Sequence, residues 1–201
     1  MKIILDKNKL IKILNKDENI GFIPTMGAIH EGHVSLIKKS IKQNKKTVVS
    51  IFVNKPQFNN RDDFNKYPRV LNNDKKILKY LNVDYIFIPS EKQIYPKGVS
   101  KSINIDKFKN KLCGKFRPNH FEAVIDVIQR FIKIINPKNI YLGEKDMQQL
   151  ILIKNYLKKH KIKTKVIACK TIRQKNGVAL SSRNLLLNNH DQIIASKIYR
   201  I

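Results

Sequence analysis

The chain has 201 residues, 42% of them hydrophobic and 28% charged, with a formal net charge of +26 at pH 7. That mixture suits a globular chain and excludes an intrinsically disordered one, and no apolar run reaches the length needed to cross a bilayer. The charge excess is lysine scattered among Asn and Ile along the whole sequence, without basic-aromatic interleaving, so a basic nucleic-acid-binding module stands only as an alternative.

Residues 1–19 read as a short lead followed by a polar-faced helix, with Leu10, Ile11, Ile13 and Leu14 apolar. The opening is too short an apolar run for a signal peptide. Cys113 and Cys169 are isolated, with no C-x-x-C, and a cytoplasmic protein is expected. Residues 20–23 form an apolar strand broken at Pro24. Thr25-Met26-Gly27 then turns, and a helix runs from about Gly32 with Val34, Leu36 and Ile37 on its apolar side. A strand, a Gly-bearing turn and a helix place backbone N–H groups at the carboxyl edge of a parallel sheet, where phosphates are held. His30-Glu31-Gly32-His33 sets two imidazoles three residues apart at that helix mouth, with Gly32 leaving room for a ligand against the backbone. By itself such a pair equally suits surface histidines or half of a zinc site.

Residues 45–53 are a near-continuous β-branched run, the pattern of a strand buried on both faces. The loop that follows carries Asn54, which alone reads as a turn residue, and Gln57, which between Pro56 and Phe58 suits a turn residue and a ligand contact equally. The loop continues through Arg61-Asp62-Asp63-Phe64 and Tyr67-Pro68-Arg69. A helix over 71–81 has Asp74 near its positive end, and a strand spans 84–88 before a polar loop over 90–101. The string L-C-G-K-F-R-P-N-H-F, residues 112–121, leads into the clearest amphipathic helix. Its stripe is Val124, Val127, Ile128, Phe131, Ile134 and Ile135, with Asn119 as its N-cap. A strand over 139–142 precedes Gly143-Glu144-Lys145-Asp146-Met147-Gln148-Gln149 and a helix to Lys159. Asp146 and Gln149 form a capping-box-like pair, and Lys145 would add a point charge to an anion site. After a strand over 163–169 come Thr171-Ile172-Arg173, an Asn-Gly turn, and Leu180-Ser181-Ser182-Arg183-Asn184. Two hydroxyls and a guanidinium can grip phosphate oxygens, though the same string suits a solvated loop. A further helix begins near Asn189.

Strands alternating with helices define a Rossmann-like α/β fold, with a mostly parallel sheet and helices on both faces. The strings around His30 and His33, residues 54–58, R-P-N-H-F, G-E-K-D-M-Q-Q and L-S-S-R-N, taken in this order, resemble the pantoate–β-alanine ligase family of the H-x-G-H nucleotidyltransferases. The resemblance implies ATP-dependent condensation of (R)-pantoate with β-alanine through pantoyl adenylate, releasing AMP and pyrophosphate. It implies His33, His30 and Lys145 as catalytic groups. For ATP it implies Met26, Gly27, Ala28, Ile29, His30, Glu31, Gly32, His33, Gly143, Glu144, Lys145, Asp146, Ile172, Leu180, Ser181, Ser182 and Arg183. For pantoate and β-alanine it implies Gln57, Gln149, Asn54 and Arg117.

Mg2+ arriving with ATP and Asp74 as a metal ligand belong to the same expectation. So do a homodimer, and the lack of nucleic-acid or membrane partners. Residues 1–184 would form the nucleotide- and pantoate-binding domain, and 185–201 the start of a smaller C-terminal domain that is otherwise missing. The sequence departs from the family pattern at Pro56, one place late, at Cys113 for the usual Glu, at Glu122-Ala123 for Arg-Gly, and at Asn72-Asn73 beside Asp74. Another H-x-G-H adenylyl- or cytidylyltransferase is the enzymatic alternative, and it would need neither Gln57 nor G-E-K-D-M-Q-Q.

Overall fold

A computed structural model describes residues 1–15, 19–100 and 102–200, apart from the side chain of Arg200. The first elements are β1 (Lys2–Ile4), α1 (Lys7–Leu14), β2 (Ile20–Thr25), α2 (Glu31–Gln43) and β3 (Lys46–Ile51). Next come α3 (Arg61–Lys66), α4 (Leu71–Tyr80), β4 (Tyr85–Phe87), α5 (Glu91–Ile94) and α6 (His120–Ile135). The last are β5 (Asn139–Gly143), α7 (Met147–Lys159), β6 (Lys165–Cys169) and α8 (Asn189–Lys197). The strands form one sheet in the order β1-β4-β3-β2-β5-β6, and every pairing is parallel. From β2 the chain steps outward through β3 to β4, then α6 carries it back to β5 on the other flank of β2. The order in which strands are added reverses between β2 and β5, and a crevice opens there at the carboxyl ends.

Period-two alternation divides the core between the two faces. Phe22, Val48 and Ile140 pack with α1, α6 and α7, whereas their neighbours Ile23, Val49 and Tyr141 pack with α2 and α4. Helices therefore cover both faces. The longest, α6, buries Phe131 against Phe22 with ring centroids 5.5 Å apart. Truncating Phe131 to Ala would cost about 3–5 kcal/mol.

Several local expectations change. The short lead, for which the sequence predicts no element, forms the edge strand β1, registered Lys2 to Tyr85. The first helix ends at Leu14, and residues 16–18 of its expected extent lie outside the described residues. Pro24 does not break β2, because β5 pairs only with Gly21 and Phe22, so the missing N–H of Pro24 falls beyond that ladder. Within the expected loop 54–69, Asn60 Oδ1 accepts the Asp62 N–H at 2.7 Å and starts α3. Asn119 does not cap α6 with its side chain; it takes the left-handed turn at φ 60° that reverses the chain into the helix. Among the described residues no helix is long and apolar enough to cross a membrane.

Candidate active site

A cleft of about 250 Å³ opens at the carboxyl ends of β2 and β5, at the sheet's reversal. One wall is the turn leaving β2. Thr25 Oγ1 donates to the Ser50 carbonyl at 2.7 Å and accepts the Gly27 N–H at 3.2 Å. Gly27 and Ala28 are successive left-handed residues, at φ +83° and +50°, which turns the chain out of the strand, where the amides of Ala28 and Ile29 need another acceptor. Asp74 receives them: its Oδ2 accepts Ala28 N–H at 3.0 Å and its Oδ1 accepts Ile29 N–H at 2.8 Å. This corrects the expected metal ligand. Asp74 is 1% exposed, does not line the cleft, and turns both oxygens onto the backbone of the turn.

The two histidines cap α2 reciprocally. His30 Nδ1 accepts the Gly32 N–H at 3.1 Å, and His33 Nδ1 accepts the His30 N–H at 3.3 Å, with the rings 4.0 Å apart. Because both Nδ1 atoms accept, each neutral ring carries its proton on Nε2. Burial pushes His33 down to about 3, helped by the neighbouring His30 and Lys145, and burial followed by Lys145 also lowers His30. Both rings are neutral N–H donors at pH 7. A Cβ on Gly32 would stand 2.8 Å from His30 Cε1 and 2.9 Å from its Nδ1. The space at Gly32 is thus taken by the His30 ring, not kept for a ligand as the sequence suggested.

The opposite wall follows β5. Lys145 lies in a single turn of 3-10 helix, its Nζ 3.0 Å from Asp146 Oδ1. The expected capping box does not form, because Asp146 makes no side-chain bond to the start of α7 and its carboxylate turns to Lys145 instead. Two adjacent glutamines part company here. Gln149 lines the cleft, while buried Gln148 donates to the carbonyls of Phe108 (2.8 Å) and Lys111 (2.7 Å) and accepts from Gly114 N–H (3.3 Å) and the Cys113 thiol (2.9 Å). Gln148 therefore holds the 107–116 segment in place. The departure at Cys113 is accommodated through that same contact.

Ser181, Ser182 and Arg183 close the third side. Ser181 Oγ accepts the Arg183 N–H at 3.3 Å. Ser182 is not a free hydroxyl: buried, it donates to the carbonyls of Ala28 (3.1 Å) and Gly27 (3.4 Å), tying this segment to the β2 turn. Arg183 forks onto Asp63 through two 2.8 Å bonds and lies over Tyr67, 5.1 Å from the ring centroid. That hydrogen-bonded pairing holds the Asp63 carboxyl below its usual range. Arg117 lines the cleft with no hydrogen-bonded or ion-paired side-chain partner among the described residues, and burial followed by nearby Arg183 lowers its pKa. His120 Nδ1 donates to the Gln57 carbonyl at 2.7 Å, which seats the 54–58 loop on α6.

Of the expected ATP residues, Met26, His30, Gly32, His33, Gly143, Lys145, Asp146, Ile172, Leu180, Ser181, Ser182 and Arg183 line this one cleft. Gln57, Gln149, Asn54 and Arg117 line it too. Gly27, Ala28, Ile29, Glu31 and Glu144 do not; Ala28 and Ile29 are buried beneath the turn. Lys170 also reaches the cleft without having been singled out, and so does His120, which the sequence offered only as part of R-P-N-H-F. Lys170 follows the last residue of β6 directly, and a cation in that position at a carboxyl edge was the available signal.

A wholly parallel α/β sheet with N–H donors and cations gathered at its reversal defines the class of domain that holds anionic ligands at the switch point. The family model for pantoate-β-alanine ligase matches residues 2–201, and the chain belongs to that family: it is an enzyme, a ligase that forms a C–N bond. Pantothenate synthetase of Francisella philomiragia is 50% identical over 195 residues, spanning 96% of this chain and 75% of the relative. A crystal structure of pantoate-β-alanine ligase from Francisella tularensis, complexed with β-γ ATP and β-alanine, superposes with a TM-score of 0.95 at 47% identity, over all of this chain and 78% of that one. Pantothenate synthetase from Thermus thermophilus gives 0.95 at 33% identity, with 72% of its chain covered.

Proposed function

We propose that the chain joins (R)-pantoate to β-alanine in two steps: ATP and pantoate give pantoyl adenylate and pyrophosphate, and β-alanine then displaces AMP to give pantothenate. The observation that carries this reading is the pair of neutral imidazoles at the mouth of α2, lining the cleft with each Nε2–H free of the helix cap and within the field of Lys145. The first step brings a carboxylate against an α-phosphorus, two anions that repel, so it needs positioning and preorganised donors. His30 and His33 would donate to phosphate oxygens as charge develops on the leaving pyrophosphate. Since His33 is neutral, its part is hydrogen-bond donation from Nε2 more than delivery of an imidazolium proton. Lys145 and Arg183 supply positive charge, with Arg183 leaving Asp63 to do so. Gln57 and Gln149 would hold pantoate's oxygens, and the unpaired Arg117 a carboxylate.

Among the described residues no three His, Cys, Asp or Glu side chains gather to hold a metal. The cleft's cations and N–H donors fit phosphates, so Mg2+ is read as part of the substrate Mg-ATP. A homodimer follows the family likeness. Residues 1–184 are read as the catalytic domain, a division supported by α8, which buries no residue of its own. Two free cysteines suit a cytosolic setting. Pyrophosphate release from Mg-ATP, measured with and without pantoate, tests the reading. Release should require pantoate and should not require β-alanine. Pantoate-independent release would favour a different nucleotidyltransferase, and no release together with salt-sensitive retention on DNA would favour the nucleic-acid module.

A further inference from the structure

Behind the cleft, Asp126, Arg130 and Tyr95 form a polar cluster with no part in the reaction as described. Asp126 is 2% exposed, and Arg130 Nε donates to its Oδ1 at 2.7 Å. The same guanidinium donates to the carbonyls of Ile94 (2.9 Å) and Gly98 (3.2 Å) and lies over the Tyr95 ring, 4.7 Å from its centroid. The Tyr95 hydroxyl in turn bonds Asn54 Oδ1 at 2.6 Å. Asn54, 1% exposed, uses its Nδ2 on the Ala123 carbonyl at 3.3 Å and on Gln57 Oε1 at 3.1 Å.

The chemistry of these partners fixes the direction of every bond. A main-chain carbonyl only accepts, so the nitrogen of Asn54 must face Ala123 and its oxygen must face the phenol, which donates. The second Nδ2 proton then goes to Gln57 Oε1. Nε2 of Gln57, which has no partner among the described side chains, is the atom left for the cleft. Burial pushes the Tyr95 phenol up, with the charge of Asp126 adding to the effect, so the hydroxyl keeps its proton and stays a donor.

We propose that Tyr95, clamped by Arg130 and acting through Asn54, is a positioning residue that presents Gln57 to pantoate as a pure hydrogen-bond donor. The subsite then takes an acceptor oxygen, a hydroxyl lone pair or a carboxylate, and refuses an ammonium group in its place. This inference rests on the reading of Gln57 as a pantoate contact. Removing the phenolic hydroxyl leaves a buried amide oxygen without a donor and leaves Asn54 held only through its Nδ2, by the 3.3 Å bond to Ala123 and the 3.1 Å bond to Gln57, so both amides loosen from the set geometry.

The test is a double-mutant cycle of Tyr95→Phe and Gln57→Ala, read as KM for pantoate, KM for ATP, and selectivity against the analogue bearing an amine for the 2-hydroxyl. Tyr95→Phe should raise the pantoate KM about tenfold, leave the ATP KM within about twofold, and relax the selectivity by a similar factor. In the Gln57→Ala background it should add little. A merely structural role would lower turnover with all substrates alike and spare the selectivity. If Gln57→Ala leaves the pantoate KM unchanged, the pantoate contact is misassigned and the relay goes with it. If Gln57→Ala raises that KM but Tyr95→Phe does not, or acts independently in the double variant, the relay alone is overturned. Should Tyr95→Phe fail to fold, the parent protein still decides. Its Gln57 side-chain amide resonances, identified by their loss in Gln57→Ala, should shift on saturation with pantoate, and unmoved resonances refute the donor assignment.

Discussion

His33 shows how one ring can cap a helix with one nitrogen and still line the cleft. Its Nδ1 is engaged by the His30 amide, so whatever it does in the cleft it does through Nε2–H. His33→Ala should lower adenylate formation by about 10² or more while changing ATP affinity far less, as expected when a preorganised donor is lost; quench-flow measurement of pantoyl adenylate checks this. Held down to about 3, His33 has no titration near neutrality, and kcat should show no limb of its own around pH 6.5. The same shift bears on stability. The unfolded chain binds a proton near pH 6.5 and the folded ring does not, so stability is full above about pH 6.5 and falls below it, by at most about 1.4 kcal/mol per pH unit, until about pH 3. His30 and His120, also lowered, add with the same sign. Urea midpoints should therefore drop between about pH 6.5 and pH 5, before the carboxylates titrate, and a flat midpoint over that interval would contradict the burial of these rings.

At the scale of elements, the β2 turn and α4 are one unit joined through Asp74. Asp74→Asn keeps the shape but sets an NH2 group against one of two backbone N–H groups, at a cost of about 2–3 kcal/mol. The melting temperature should fall, and turnover with it, while the Mg2+ concentration giving half-maximal rate at fixed ATP stays put. A large rise in that concentration would restore Asp74 as a metal ligand. Asp74 also marks where the sequence stopped being legible. Its apolar neighbours announced α4 through their spacing, and the β-branched run announced β3, because periodicity is local. The partners of Asp74 lie 45 and 46 residues away, and nothing in its surroundings announces them. The same limit applies to Gln148 and Gln149, which are alike and adjacent, yet one is a buried strut and the other faces the cleft. The edge strand β1 escaped notice because three residues show no period. The cleft itself was legible through its motifs, since a long string of specific residue types constrains far more than any one propensity.

For the whole molecule the charge of +26 is expected to act on rate rather than on fold. Pantoate and Mg-ATP are anions, and a basic surface around a cation-lined cleft raises their encounter rate. We expect kcat/KM for both to fall as salt rises from about 20 to 300 mM, with kcat nearly constant, because screening acts on approach and not on the bound state. Stopped-flow binding across that range checks this, and salt-independent association would leave the lysines as mere composition. The tie from Ser182 to the Ala28 carbonyl joins residues 154 apart in the chain. On the ribosome the histidines emerge early, and the strands that flank them can pair soon after. The mouth they guard stays unclosed until Ser182 has followed, since closing so long a loop has to wait for the sheet beneath it. Between the emergence of Ala28 and that of Ser182, 154 residues later, the nascent chain carries its histidine motif without that closure.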